Sequence, residues 1–254
     1  MSALDFLDVP ARQAAVATVT EHRPWALPAE PWTSAQTWVD LAFLHWRVDE
    51  QELRRLVPES VELDTFDGAA WIGVVPFLLT GVRVRGLPPL PRLSTFPELN
   101  VRTYVTHEGK PGIWFCTLDA SSTWFVEAAK KLYRLPYHRA RMRHERIGEH
   151  VHYESARAGA AFSGRYRGDG DLFHAQPGSL EHFLTERYCL YTEDGGRLYR
   201  AEIHHLPWDL QRGEAIVDLN TMSPLPLPED EPDVLFSPRQ DVVLWPLQEL
   251  SLGA

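Results

Sequence analysis

Cysteine is scarce in this 254-residue chain: only Cys116 and Cys189 occur, each in an apolar strand-like run and without the spacing of a metal site. They read as buried, reduced thiols of a cytosolic protein, with a disulfide between them as the lesser alternative. Long apolar runs are missing too. No stretch approaches the roughly 20 residues that cross a bilayer, and Met1–Pro10 lacks the basic start and apolar run of a signal peptide. A cytoplasmic protein with no membrane partner is the expectation. Positive charge is in deficit, with a net charge of -10, which argues against general affinity for nucleic acid. There is no glycine-rich phosphate loop, no GxSxG elbow and no His/Cys cluster with convincing metal spacing. No metal and no cofactor are therefore expected.

What is present is apolar and aromatic. Hydrophobic residues make up 44% of the chain and nine tryptophans occur, enough for one large core or two small ones and for broad apolar surfaces inside the fold or around a ligand. The first thirty residues are polar and broken by Pro24, Pro28 and Pro31, which suggests an N-terminal arm over 1–30. A strand ending near Val48 leads into a short helix, "DEQELRRLVP". Asp49 caps it, Glu52 completes a capping box and Pro58 follows its end. "FDG" then predicts a hairpin turn into "AAWIGVVPFLL". "HEGKPG" and the Gly195-Gly196 pair predict turns between strands, as do Gly148 and "GDGD". Ser179 is placed to cap a short helix, and 222–254 reads as a proline-rich extension carrying one more strand. With no repeat and no dividing linker, 1–254 reads as a single antiparallel domain, mainly β with a few short helices.

Two segments concentrate chemistry. In "LNVRTYVT" strict alternation puts Glu98, Asn100, Arg102 and Tyr104 on one face of a strand, opposite Leu99, Val101, Thr103 and Val105. A carboxylate, an amide, a guanidinium and a phenol in one row are suited to hold a small anion, although a surface strand tolerates them as well. The second segment, residues 127–146, carries seven Lys/Arg against two Glu. There a helix over 121–132 turns an apolar face of Trp124, Phe125, Ala128, Ala129 and Leu132 inward. At 100° per residue Lys131 borders that face and Lys130 points away from it, and Glu127 pairs with Lys131 one turn on. Ion pairing with the surplus acids is the commoner use of such a run. His204 and His205 are adjacent, so on a strand they point to opposite faces and cannot chelate one ion together. His205 and His45 join the candidate ligand contacts, each with packing in the core as its alternative.

Several segments are familiar together: "LAFLHWRVDEQELRRLVPESVELDTFDGAAWIGVVPF", "FPELNVRTYVTHEGKPGIWFCTLDA", "LYRLPYHRARM", "SLEHFLTERYCLY" and "IHHLPW". From about Trp38 to Trp208 the chain resembles the bacterial DUF2071, or YqjF-like, family of the acetoacetate decarboxylase-like superfamily. The resemblance implies a closed, cone-like antiparallel β-barrel around a ligand cavity. In the decarboxylases a lysine pair shortly before a proline supplies a Schiff-base amine. A neighbouring ammonium and an apolar pocket depress its pKa so that the free amine can attack a ketone. The resemblance puts that pair at Lys130-Lys131, one residue further from Pro136 than the motif has it, and puts a decarboxylase glutamate on Glu98. The upstream decarboxylase arginine falls on Val39. The catalytic candidates are accordingly Glu98, Arg102, Lys131 and Lys130, with Asn100, Tyr104, His45 and His205 as substrate contacts. We expect a cofactor-free enzyme acting on a small oxo- or carboxy-acid, or else a non-catalytic barrel binding a small anionic or carbonyl ligand. No stable imine with acetoacetate is expected, and self-association is left open.

Overall fold

The structure, a computed structural model, describes residues 3–91 and 93–251; Met1, Ser2 and residues 252–254 of the expected arm and extension lie outside the described residues. Helix α1 (Ala3–Ala15) opens the chain, followed by β1 (Ser34–Val48), α2 (Glu50–Arg54), β2 (Glu62–Leu63), β3 (Ala70–Val84) and β4 (Phe96–His107). Then come β5 (Lys110–Ala120), α3 (Thr123–Tyr133), β6 (Tyr137–Arg139), β7 (Arg141–Ile147), β8 (His150–Arg157) and β9 (Ala160–Phe173). The chain closes with α4 (Leu180–Thr185), β10 (Cys189–Asp194), β11 (Arg197–His205), β12 (Leu210–Asn220), β13 (Asp233–Leu244) and β14 (Gln248–Glu249). Strand makes up 53% and helix 14%, so the fold is mainly β.

The strands pair in the order β14-β11-β10-β5-β4-β3-β1-β13-β12-β9-β8-β7, and β11 also pairs with β13. That extra ladder, Ile203–His205 against Val242–Leu244, joins seven strands in a ring of pairings. β12, β9, β8 and β7 extend from it as a wing. Not every pairing is antiparallel as expected: β5 runs parallel to β10 and to β6. β13 is no appendage either, because it pairs with β1 from Ser34↔Leu244 to His45↔Asp233 and also with β12. "GDGD" lies inside β9 rather than in a turn.

Two packed layers result. One gathers apolar side chains of the ring strands, including Phe43, Val75, Phe77, Leu118, Ala201, Ile203, Leu235 and Val242. The other wedges Leu44, Val74, Leu99 and Val101 against Val151, Tyr153, Phe162 and Tyr166 of the wing. Pro76 sits in the middle of β3, where it cannot donate to a ladder. β1 answers with a register shift between Val39 and Leu44, and Asp40 adopts a left-handed φ of 51°. Wing tyrosines engage the carbonyls of this irregular stretch. Tyr166 donates to Asp40 O at 2.9 Å, and Tyr153 donates to Glu98 O at 2.6 Å and Phe77 O at 3.2 Å.

The N-terminal arm is docked through buried polar groups. Gln13 donates to Thr37 Oγ1 and Gly81 O, both at 3.1 Å, and accepts from Arg83 at 2.7 Å. Arg23 is buried against Glu202 at 2.8 Å and donates to Ile203 O at 2.6 Å. At the short helices, Asp49 accepts from Glu52 N–H at 2.9 Å and Ser179 from His182 N–H at 3.2 Å, as the sequence leads one to expect. Cys189 is buried, Cys116 is half-buried, and both thiols are free. No helix among the described residues is long and apolar enough to cross a membrane.

Candidate functional site

β4 lies between β3 and β5, and from Glu98 to Val105 every residue is buried, so both of its faces are covered. Directly paired residues share a face of a sheet. Glu98 pairs with Phe77 and Ala120, and Asn100 with Val75 and Leu118; these partners belong to the layer inside the ring. Arg102 pairs with Gly73, which pairs in turn with His45 on β1. The row Glu98, Asn100, Arg102 and Tyr104 therefore faces the ring interior, while Leu99 and Val101 face the wing. All four are buried, Glu98 and Arg102 to 4% exposure.

Charged groups so deeply buried normally pair with each other. Here they do not. Arg102 forms no salt bridge among the described residues. Its Nη2 donates to Leu184 O at 2.9 Å and to the Tyr104 hydroxyl at 3.4 Å, its guanidinium stacks over Phe43 at 5.1 Å, and its Nε lacks a partner. Tyr104 donates to Leu184 O at 2.7 Å, and His45 Nε2 lies 2.6 Å from the same phenol. His45 Nδ1 and Asn100 Oδ1 are buried without partners. Glu98 accepts from Tyr137 Oη at 3.0 Å and meets no cation among the described residues. Burial pushes its carboxyl up to about 8, against the smaller opposing effect of the Tyr137 hydrogen bond. At neutral pH Glu98 is thus largely protonated. Burial, and secondly the charge of Arg102, hold the His45 imidazole well below its ordinary pKa, so it is neutral.

The match to known proteins spans this same frame. Residues 35–241, from β1 into β13, fit the family DUF2071, described as an uncharacterised conserved protein. The chain belongs to the DUF2071 family. It is 45% identical over 232 residues to the uncharacterised protein YqjF of Bacillus subtilis (strain 168), covering 89% of this chain and 96% of that one. Among solved structures, an acetoacetate decarboxylase-like enzyme from Sphingomonas wittichii RW1 superposes with a TM-score of 0.62 at 14% identity, over 91% of this chain and 98% of that chain. The enduracididine biosynthesis enzyme MppR complexed with pyruvate gives 0.59 at 15% identity, over 91% and 95%. The fold of this DUF2071 chain is thus acetoacetate decarboxylase-like.

The remaining candidates divide. His45 joins Arg102 and Tyr104 directly. His205 is buried, with Nδ1 2.7 Å from Leu206 O and Nε2 3.3 Å from Arg187 O, and it packs on Trp208, which meets Phe43 edge-on at 4.9 Å. It borders the cluster through aromatic packing and makes no hydrogen bond to Glu98, Asn100, Arg102, Tyr104 or His45. His204 is buried on the opposite face, beneath the arm, with Nε2 2.9 Å from Val16 O.

Lys130 and Lys131 are not brought to Glu98, for both are exposed on α3. The packed face of α3 is Val126 and Ala129 with Phe125 and Tyr133 beside them, whereas Leu132 is 67% exposed. That is a rotation from the face expected from hydrophobicity alone. Surface clefts of about 340 Å³ near Cys116 and Tyr191 and about 740 Å³ near Arg47 and Leu225 are lined by none of the candidates. Two contributors escaped sequence reasoning. Tyr137 reaches Glu98 because β6 lies parallel to β5, and Arg187 stacks over Tyr104 at 4.8 Å while bound to Asp64 at 2.5 Å. No local pattern in the sequence marks either.

Proposed function

We propose that the ring is a closed barrel in a single domain and that its interior takes up a small oxo- or carboxy-acid for cofactor-free chemistry. Support comes chiefly from one observation: among the described residues, Arg102 is a buried guanidinium with no acidic partner, on the same face as a buried Glu98 with no basic one. A carboxylate would neutralise Arg102 through its unpartnered Nε–H. Glu98 then stands four residues along the strand, about 13 Å away between Cα atoms at the usual rise. A ligand held by Arg102 that spans this gap meets in Glu98 a proton donor for charge developing on it. The DUF2071 relatives add no reaction, but MppR in its complex with pyruvate makes a small acid a reasonable guest of this fold.

Purely non-catalytic binding is the second reading, favoured by the exposure of both lysines, which leaves no amine beside Arg102. Titration of the full chain with a series of two- to five-carbon acids tests the site. Saturable binding that is lost in Arg102→Met and kept in the Lys130→Ala/Lys131→Ala double variant supports it, and binding indifferent to Arg102 refutes it. Mass-spectrometric search for turnover of the bound acids separates enzyme from binder.

A further inference from the structure

The strands of the ring are not joined evenly. Gly112 brings β10 onto β5: a Cβ there would stand 2.9 Å from Cys189 O, so a side chain would block the approach. The contact is brief. Leu190 pairs with Ile113 and Tyr191 with Trp114, and this two-pair ladder is the shortest in the ring. The same edge of β5 is taken up again by β6, from Leu118 to Ala120. Among the described residues, Phe115, Cys116 and Thr117 have no strand partner on that edge. On the other edge the β4–β5 register shifts at the same level, between the pairs Val101–Thr117 and Arg102–Phe115, which makes Cys116 the extra residue of a bulge.

Side chains fill this seam in place of a backbone ladder. Trp114, Phe115 and Cys116 are half-buried, whereas Gly112 and Ile113 before them and Thr117 and Leu118 after them are buried. The cleft of about 340 Å³ lies against them, its wall continuing through Leu135 and Pro136 to Tyr191 and Thr192. That volume falls within the range of small-molecule pockets, roughly 300–1,000 Å³. Its two walls are tied by the Thr192 hydroxyl, which donates to Arg134 O at 2.9 Å, and by the Arg134–Asp194 ion pair. Two lining residues also belong to the interior. Phe115 pairs with Arg102 and so shares its face, and Leu135 packs into the layer inside the ring.

We infer that this seam is the passage by which a small acid reaches Arg102, with Phe115 as its gate. This rests on the reading of the interior as an acid site. Opening the seam asks a half-buried ring to turn and the Thr192 bond to part, whereas an opening elsewhere in the wall would separate paired backbone groups. The end of the ring beneath α4 is the competing entrance. There Arg102 and Tyr104 both donate to Leu184 O, and Phe183 packs on Tyr104 at 5.1 Å. A gate that stands outside the bound state changes entry and exit by the same factor and leaves affinity alone.

Binding of ¹³C-labelled pyruvate and 2-oxoglutarate to the full chain is followed by NMR, with Kd from titration and rates from line shapes. Phe115→Leu and Thr192→Val should each raise association and dissociation together, by at least about fivefold for Phe115→Leu, with Kd moving less than about twofold. Should one variant fail to fold, the other decides. Faster dissociation alone would make Phe115 a wall of the bound site. Rates unmoved by both variants, or raised by Phe183→Leu instead, would place the entrance elsewhere. Each of these overturns the passage and leaves the acid site standing. No binding of either acid overturns both.

Discussion

Replacing Glu98 by glutamine converts a buried, titrating carboxyl into a neutral group of nearly the same shape. Gln can still accept from Tyr137, whose hydroxyl stands 3.0 Å from the carboxyl. The folded protein holds the Glu98 proton up to about pH 8, whereas the ordinary value is 4.5. Between those values the folded state binds a proton that the unfolded chain has released. The associated stability is complete below pH 4.5 and is lost as pH rises to 8, at about 1.4 kcal/mol per pH unit, on the order of 5 kcal/mol in all. Glu98→Gln has no such proton to lose. Urea unfolding at intervals from pH 5 to 9 should show the variant gaining on the natural protein by that slope, level near pH 5 and several kcal/mol ahead above pH 8. Comparison at each pH cancels every other titrating group. A stability difference that stays constant across the range would refute the claim that Glu98 is buried without a cation.

Gly73→Ala should lower stability by roughly 1–3 kcal/mol, because its new methyl would stand 2.7 Å from the buried His45 ring; unfolding midpoints check this. Replacing Lys130 and Lys131 together by alanine should leave stability within about 0.5 kcal/mol, as for exposed side chains. Borohydride trapping with 3-oxo acids should leave both lysines unmodified, and a reduced adduct on either, found by peptide mapping, would reverse that expectation. Burial lowers the pKa of His204 to about 4 from 6.5. Its neutral form is the folded one, so stability should fall between pH 6.5 and 4, by about 3 kcal/mol. Hydrogen exchange should show residues 16–25 loosening first, since His204 meets Val16 O and Arg23 there.

Some of this was legible in residues and some was not. Alternation sorted β4 correctly into two faces, because a strand's period of two holds whatever surrounds it. It could not say that both faces would be covered, since the wing that covers Leu99 and Val101 begins some forty residues later. Capping residues located α2 and α4, being local hydrogen-bond chemistry. α3 went wrong by a rotation: a wheel counts Trp124 and Leu132 as apolar, but only tertiary neighbours decide which apolar residues are covered. How the arm docks was not legible, because its anchors are Gln13 and Arg23, polar residues whose burial depends on partners as far as 180 positions away. The same holds for Tyr137 and Glu98, which meet through a parallel pairing that no hairpin signal announces.

The ladder between β1 and β13 has a kinetic consequence. Its first pair, Ser34 with Leu244, closes a loop of about two hundred residues, and the pairing of β11 with β13 also waits for Val242–Leu244. During synthesis β1 therefore emerges long before its neighbour and has only β3 to pair with. The hairpins β4–β5, β7–β8, β8–β9 and β10–β11 can form as they appear, but the ring cannot. Such distant pairing makes for slow folding, on the scale of milliseconds to seconds for β-rich domains, and leaves a long apolar strand edge open to other chains in the interval. Nascent chains halted before residue 233 should accordingly be bound by chaperones, and should release only when the last long strand is supplied.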